Sequence, residues 1–129
     1  MEKRKILIVD DEKVYGNMIK LSLELTGNYI VRSETEGAKA YPAAIEFKPD
    51  LILLDVNMPD MDGGGVAFQI KSDEGLKDVP IVFLTGLVTE KEIVSGGGFS
   101  GKNTYIPKTA KVDVLIDCIE ENINKKKTS

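Results

Sequence analysis

Residues 50–63 read Asp-Leu-Ile-Leu-Leu-Asp-Val-Asn-Met-Pro-Asp-Met-Asp-Gly, and this stretch decides the fold. Its apolar run, Leu51 to Leu54, follows a proline and precedes a loop that contains another, which is typical of a strand buried on both faces in a parallel sheet. Asp55 ends the run, so its carboxylate is predicted at the carboxyl edge of the sheet, where open α/β folds bind their ligands. Taken alone, Asp55 is explained equally well as the start of a turn or a helix cap.

Composition limits the classes of protein to consider. A chain of 129 residues is enough for one domain with a single core, and we treat residues 1–129 as one domain. The net charge of -4 argues against broad binding to nucleic acids or anionic membranes. A lone cysteine, Cys118, offers no internal disulfide, and no leader or membrane-spanning apolar run is present in the sequence. We therefore expect a cytoplasmic protein that neither enters a membrane nor binds nucleic acid directly.

The chain contains no histidine. A serine or cysteine nucleophile activated by histidine is therefore excluded, and so are imidazole metal ligands. Carboxylates and carbonyls remain as the metal ligands, and these suit hard cations such as Mg²⁺.

Five apolar segments alternate with five helical patterns. The strands are predicted over residues 5–9, 29–32, 50–55, 80–84 and 103–107. The first helix is predicted over residues 13–26, with Gly27 at its C-terminal end. Its apolar residues at helical spacing are Val14, Met18, Leu21 and Leu25.

The second helix is predicted to open with a capping box formed by Ser33 and Glu36. Pro42 falls inside this helix, which predicts a kink or a late start, because proline lacks a backbone donor and clashes with the preceding turn. Its inner stripe is predicted to consist of Ala38, Tyr41 and Ile45.

The third helix is predicted to run from a cap at Asp62 to about residue 72, with Val66, Ala67 and Ile70 facing inward. A fourth helix opens with a capping box at Thr89 and Glu92, and the glycines at 96–98 predict that it is short or frayed. The last helix has an apolar face, and residues 125–129 are predicted to form a solvated lysine-rich tail beyond a core of about 5–124. That apolar face comprises Val112, Leu115, Ile116, Ile119 and Ile123.

Alternating strands and helices predict an α/β fold, a doubly wound five-stranded parallel sheet of the flavodoxin-like type with strand order 2-1-3-4-5. This order makes strands one and three neighbours, so Asp10 and Asp11 meet Asp55 at one edge. Three carboxylates in one crevice require either raised pKa values or a bound cation, and Mg²⁺ fits such oxygen ligands. Thr85 and Lys108 end the next two strands at the same edge. Each residue alone has a simple structural explanation, such as a helix cap or a solvated lysine, but the joint pattern indicates phosphoryl chemistry.

With these residues in place, the chain resembles the response-regulator receiver domains of two-component signalling, over about residues 5–124. The motifs that carry the resemblance are Ile-Leu-Ile-Val-Asp-Asp-Glu at 6–12, the block at 49–63, Val-Phe-Leu-Thr-Gly at 82–86 and Tyr-Ile-Pro-Lys at 105–108. The block at 49–63 is the most specific of them. The resemblance implies phosphorelay signalling in which a histidine kinase or a histidine phosphotransfer protein donates a phosphoryl group. It implies no enzymatic activity beyond self-phosphorylation and slow dephosphorylation.

The resemblance also implies a role for each site residue. Asp55 would accept the phosphoryl group, Lys108 and Thr85 would contact it, and Tyr105 would be the aromatic that follows Thr85 in the switch. The Mg²⁺ ligands would be Asp10, Asp11, Asp55 and the main-chain carbonyl of Asn57. The fourth helix, the fifth strand and the last helix would form the face that contacts the output domain or protein.

Three features depart from the family pattern. Receivers usually have a cis bond between the lysine and a proline after it, whereas here Pro107 precedes Lys108 and Thr109 follows it. Because a cis bond before a non-proline costs about 2.5–4 kcal/mol, either the bond is trans and Lys108 is aimed differently, or the strain is kept for function. Gly86 stands where alanine is common, and the glycines at 96–98 end the helix that usually signals.

Three other classes compete with this interpretation. A flavodoxin-like FMN binder needs a loop rich in Gly, Ser and Thr after strand one, and Asp-Asp-Glu at 10–12 would repel its phosphate. A dehalogenase-type phosphatase typically has a second aspartate two residues after the first, where this chain has Asn57. A degenerate receiver that only binds proteins is the nearest competitor, and the presence of all five site residues argues against it.

Overall fold

The sheet has five parallel strands in the order β2-β1-β3-β4-β5, which confirms the predicted fold class and strand order. The structure is a computed structural model that describes residues 2–56, 63–86 and 104–128. The strands are β1 (Arg4–Val9), β2 (Tyr29–Glu34), β3 (Leu51–Asp55), β4 (Ile81–Thr85) and β5 (Thr104–Pro107). The described helices are α1 (Lys13–Glu24), a 3-10 turn (Gly37–Lys39), α2 (Ala40–Phe47), α3 (Gly63–Lys71) and α4 (Val112–Thr128).

Strand register aligns the carboxyl ends of the central strands. Val9 pairs with Leu54 between β1 and β3, and Asp55 pairs with Leu84 between β3 and β4. At the next boundary Thr85 pairs with Pro107. Because parallel strands end at the same edge, the residues that follow β1, β3, β4 and β5 are brought together there.

The core lies on both faces of the sheet. Every residue of β3 and of β4 is buried, as expected for central strands covered by helices on both sides. On one face α1 and α4 cover the sheet, with Ile19, Leu23, Leu115, Ile119 and Ile123 packed against it. On the other face α2 and α3 do so, with Ala40, Ala43, Ala44, Val66 and Ile70.

Helix α1 exposes its most regular apolar stripe. The helix itself is confirmed, and Gly27 after it adopts a left-handed φ of 84°. Its buried residues are Gly16, Ile19 and Leu23. The side chains predicted from helical spacing lie on the opposite side and are 49% to 84% exposed; they are Val14, Met18, Leu21 and Leu25.

Helix α2 differs from its prediction in start and in orientation. Ser33 lies within β2 and Glu36 makes no capping hydrogen bond through its side chain, so the predicted capping box is wrong. The late start is confirmed, because α2 begins at Ala40 and Pro42 falls in its first turn, where a missing backbone donor costs little. The inner stripe is also wrong, since three alanines face the sheet while Ala38 and Ile45 are exposed and Tyr41 is only partly buried. Small side chains let the helix approach the sheet closely.

The remaining helices agree largely with their patterns. In α3, Val66 and Ile70 are buried and Ala67 packs against the core. Helix α4 keeps its predicted apolar face, and its backbone is helical to Thr128, through most of the segment 125–129 that is predicted to be a solvated tail. The predicted cap at Asp62 and the predicted fourth helix, with Thr89, Glu92 and the glycines at 96–98, lie outside the described residues.

The outer edge of β2 is covered by an ion pair from α1. Glu24 accepts a hydrogen bond from the backbone N–H of Val31 at 3.0 Å. Lys20 donates to the carbonyl of the same residue at 2.9 Å and pairs with Glu24 at 3.1 Å. Both hydrogen-bonding groups of Val31 on that edge are therefore satisfied by side chains.

Among the described residues, the helices are too short or too polar to span a membrane.

Candidate functional site

Three carboxylates converge at the carboxyl edge, as the strand order predicts. Asp10 follows β1, Asp55 ends β3, and both are almost completely buried, whereas Asp11 is exposed. One oxygen from each of the three lies within 4.8 Å of the others. The two acidic stretches, 44 or more residues apart in sequence, therefore form one crevice that opens to solvent at Asp11.

Asp10 also organises the turn that leads into α1. Its backbone N–H donates to the carbonyl of Glu34 at 3.0 Å, which extends the β1–β2 pairing by one residue. Its Oδ1 accepts from the backbone N–H of Glu12 at 2.8 Å. The turn role considered from sequence and the role in the acidic crevice are thus both present in one side chain.

Lys108 reaches across the edge into this crevice. Its Nζ donates to Oδ1 of Asp10 at 3.0 Å and lies 2.8 Å from Oδ2, which is out of line for a second hydrogen bond. The ammonium is 3.5 Å from Oδ2 of Asp55 and also contacts the carboxylate of Glu12. One lysine therefore neutralises part of the charge of three acids.

Burial and charge act in opposite directions on this cluster. Burial raises the pKa of Asp10 above its usual range, although hydrogen bonds from Lys108 and from the Glu12 backbone favour the ionised form. For Lys108, burial alone would lower the pKa, but the hydrogen bonds to Asp10 and Glu12 and the negative charges of Asp10 and Asp55 raise it above its ordinary value. Lys108 therefore keeps its charge at neutral pH.

The peptide bond between Lys108 and Thr109 is trans, because the described residues contain no cis peptide bond. Of the two alternatives left open by the sequence, the structure has the unstrained one. Lys108 nevertheless points into the acidic crevice, because its backbone N–H donates to the carbonyl of Thr85 at 2.9 Å and so fixes the turn after β5.

Thr85 is buried at the end of β4, and its hydroxyl has no hydrogen-bond partner among the described residues. A buried hydroxyl without a partner costs free energy, which a ligand oxygen would recover. Two residues earlier on the same strand, Phe83 stacks on Tyr105, with ring centroids 5.1 Å apart and planes 22° apart. The predicted switch aromatic therefore lies beside the strand that carries Thr85.

Two residues of the site had no role assigned from sequence. Glu12 contacts Lys108, and the ring of Tyr15 lies with its centroid 5.1 Å from the Lys108 Nζ. They are three residues apart, which places them on the same face at the start of α1, but this spacing alone does not show that the face meets Lys108. Asn57, whose carbonyl is a predicted metal ligand, lies outside the described residues.

The carboxylates of Asp10, Asp11 and Asp55 suit a divalent cation with a preference for oxygen. Mg²⁺ prefers oxygen ligands and is usually bound by one or two carboxylates together with water and phosphate oxygens. With their oxygens within 4.8 Å of one another, Asp10, Asp11 and Asp55 are the residues that would hold such an ion.

The sheet gathers an acidic crevice, a buried threonine and a lysine at its carboxyl edge, which is the arrangement that the resemblance to receiver domains implies. Residues 6–120 match the response regulator receiver domain family, and the chain belongs to that family. It is thus a receiver domain of two-component signalling, which decides against the flavin-binding and dehalogenase-type alternatives.

Proteins similar to this chain include transcriptional regulators. The chain is 37% identical over 108 residues to the phosphate regulon transcriptional regulatory protein PhoB of Pseudomonas aeruginosa, covering 84% of this chain and 46% of that protein. It is 32% identical over 112 residues to the DNA-binding dual master transcriptional regulator RpaA of Synechocystis, covering 87% of this chain and 46% of the relative. The chain spans about half the length of these relatives.

Solved structures with the same fold include the receiver domain of a sensor histidine kinase from Pseudomonas aeruginosa, with a magnesium ion coordinated in its active-site cleft. The TM-score is 0.80 at 28% identity, over 95% of this chain and 99% of the other. A chemotaxis protein CheY4 of Vibrio cholerae superposes with a TM-score of 0.79 at 26% identity, over 93% of this chain and 98% of the other.

Proposed function

We propose that this receiver domain accepts a phosphoryl group on Asp55 from a phosphohistidine of another protein, with Mg²⁺ bound beside it. The observation that carries the proposal is the convergence on Asp55 of the Lys108 ammonium, at 3.5 Å, and the carboxylates of Asp10 and Asp11. Because the given sequence has no histidine, a phosphohistidine donor would lie outside it, and we propose a histidine kinase or a histidine phosphotransfer protein.

The chemistry requires no general base. Ionised Asp55 is already a nucleophile, and its attack in line with the leaving imidazole forms a P–O bond as the P–N bond breaks. As negative charge develops on the phosphoryl group, the Lys108 ammonium shifts its contact from the Asp55 carboxylate to a phosphoryl oxygen. The Thr85 hydroxyl donates a hydrogen bond to a second phosphoryl oxygen. When bound by Asp10, Asp11, Asp55 and the carbonyl of Asn57, Mg²⁺ would neutralise charge on the phosphoryl oxygens.

The same contacts supply the switch. The Thr85 hydroxyl, which lacks a partner among the described residues, moves toward the phosphoryl group, and Tyr105 leaves its stacked position on Phe83 to fill the space behind it. The predicted fourth helix, β5 and α4 form the output face in this proposal. No enzymatic activity is proposed beyond self-phosphorylation and slow hydrolysis of the acyl phosphate.

The phosphodonor must dock over the carboxyl edge of the sheet, where Asp55 lies. Helix α1 begins at that edge, and its exposed stripe starts with Val14, three residues after Asp11. We assign this stripe to contact with the protein that carries the donor histidine, because it begins beside the acidic crevice and its side chains are 49% to 84% exposed. With a donor of this kind, we propose that the domain acts in the cytoplasm.

The test is incubation with Mg²⁺ and acetyl phosphate, followed by intact-mass spectrometry. Wild type should gain one phosphoryl group, Asp55→Asn should gain none, and the surface variant Asp117→Asn should behave as wild type. A phosphoryl group on Asp55→Asn would show that another residue is the acceptor. A wild type that takes up no phosphoryl group from acetyl phosphate or from a kinase would favour the degenerate receiver that only binds proteins.

A further inference from the structure

Tyr15 lies over the lysine that faces Asp55. The centroid of its ring is 5.1 Å from Nζ of Lys108, within the distance at which an ammonium group is attracted to the face of an aromatic ring. Tyr15 stands in the first turn of α1, is partly buried, and packs against the core cluster beneath that helix. Its ring is therefore part of the wall of the acidic crevice.

The Lys108 side chain reaches far across the carboxyl edge of the sheet, so a neighbouring surface is needed to direct it. Lys108 follows β5, and the sheet order places β3 and β4 between β5 and β1, whereas its ammonium pairs with Asp10 after β1. A lysine side chain is flexible. The residue after Lys108, across a trans peptide bond, is Thr109, so no proline ring restricts the backbone there. Besides Asp55, the Lys108 ammonium meets Asp10, Glu12 and Tyr15, which lie in the turn after β1 and the first turn of α1.

The helix turn that carries Tyr15 is closely packed. Gly16, next in the chain, is buried where an added Cβ would lie 2.8 Å from Oγ of Ser33, so the first turn of α1 packs closely against the end of β2. Burial, followed by the charge of Asp10, raises the pKa of Tyr15 to about 12. The face presented to Lys108 at neutral pH is thus that of a neutral phenol.

We infer that Tyr15 is a positioning residue for Lys108: its ring holds the ammonium at the junction of Asp10 and Asp55, where it meets the incoming phosphoryl group. The inference rests on the proposed function for its consequence and on the geometry for its placement. Tyr15 acts through Lys108 and does not itself touch the phosphoryl group. Removing the ring frees the lysine to leave the crevice, while removing only the hydroxyl does not.

The placement is tested without phosphorylation. In wild type, the ring current of Tyr15 should shift the Lys108 Hε resonances upfield in a ¹H–¹³C spectrum. Tyr15→Phe should keep this shift, and Tyr15→Leu should lose it while its thermal unfolding remains cooperative. Lys108 resonances that are identical in wild type and Tyr15→Leu would overturn the inference.

The consequence is tested by the rate of phosphorylation with acetyl phosphate and saturating Mg²⁺. Tyr15→Leu should be about fivefold slower and Tyr15→Phe unchanged, as expected for the loss of about 1 kcal/mol of cation–π attraction. In a Lys108→Ala background, Tyr15→Leu should cause no further loss. Equal losses in both backgrounds would show a role that does not pass through Lys108. Failure of wild type to accept a phosphoryl group would refute the proposed function, while the spectra would still decide the placement.

Discussion

Lys108 and Asp10 stand 98 residues apart in the chain and are joined at the carboxyl edge of the sheet by a hydrogen bond of 3.0 Å. The bond closes the crevice between the first and the last strand. It leaves the ammonium 3.5 Å from Asp55, so a single side chain connects the residue predicted to bind metal with the predicted phosphoryl acceptor. The charges of Lys108, Asp10 and Asp55 therefore affect both the stability of the fold and the proposed phosphorylation.

Replacing Lys108 by methionine should destabilise the protein at neutral pH, by about 3 kcal/mol, because it leaves buried Asp10 beside other acids without a cation. The deficit should shrink as the pH falls, since the raised pKa of Asp10 lets it take up a proton in the folded state before it does so in the unfolded state. Urea unfolding of Lys108→Met, with exposed Lys111→Met as the control, measures both effects. Added Mg²⁺ should stabilise Lys108→Met more than wild type. A deficit that does not depend on pH would contradict this account.

Replacing Thr85 by valine should separate stability from signalling. The variant keeps the shape of the side chain and removes a buried hydroxyl that lacks a partner among the described residues, so its free energy of unfolding should rise by about 1 kcal/mol. Its Tyr105 ring resonances should no longer respond to beryllofluoride, a mimic of the phosphoryl group. Thr85→Ser retains the hydroxyl and should retain the response. A valine variant with a normal Tyr105 response would remove Thr85 from the switch.

Substitutions on α1 should distinguish its two faces. Leu21→Lys changes a side chain that is 61% exposed, so stability should change by less than about 0.5 kcal/mol. Leu23→Ala removes a fully buried side chain and should cost about 2–5 kcal/mol. With a histidine kinase that phosphorylates wild type, Leu21→Lys should accept the phosphoryl group about tenfold more slowly, because the donor loses an apolar contact. With acetyl phosphate its rate should equal that of wild type, and an equal loss with both donors would refute the docking role of the stripe.

The sheet could be predicted well from the sequence, because the unbroken apolar runs of β1, β3 and β4 fit strands buried on both faces. The acids and Thr85 directly follow these runs. Helix orientation was harder. Helical periodicity shows which side chains share a face but not which face is buried, and α1 carries apolar residues on both sides. In α2 the residues that face the sheet are alanines, and their hydrophobic signal in the sequence is weaker than that of the exposed Ile45.

Within the site, the acids and Lys108 could be predicted because strand order alone brings their positions together. The ring of Tyr15 could not, because its contact with Lys108 depends on how closely α1 approaches β2 at Gly16. That approach is a property of packing between two elements, and no spacing in the chain reports it.

The ion pair that covers Val31 has a consequence for self-association. An edge strand with open hydrogen-bonding groups is a template on which another chain can add, and this is a common beginning of aggregation. Here a foreign strand would first have to displace Lys20 and Glu24 from both groups of Val31, and would be met by their charges. At that point the border of the sheet is closed to extension by a neighbouring molecule.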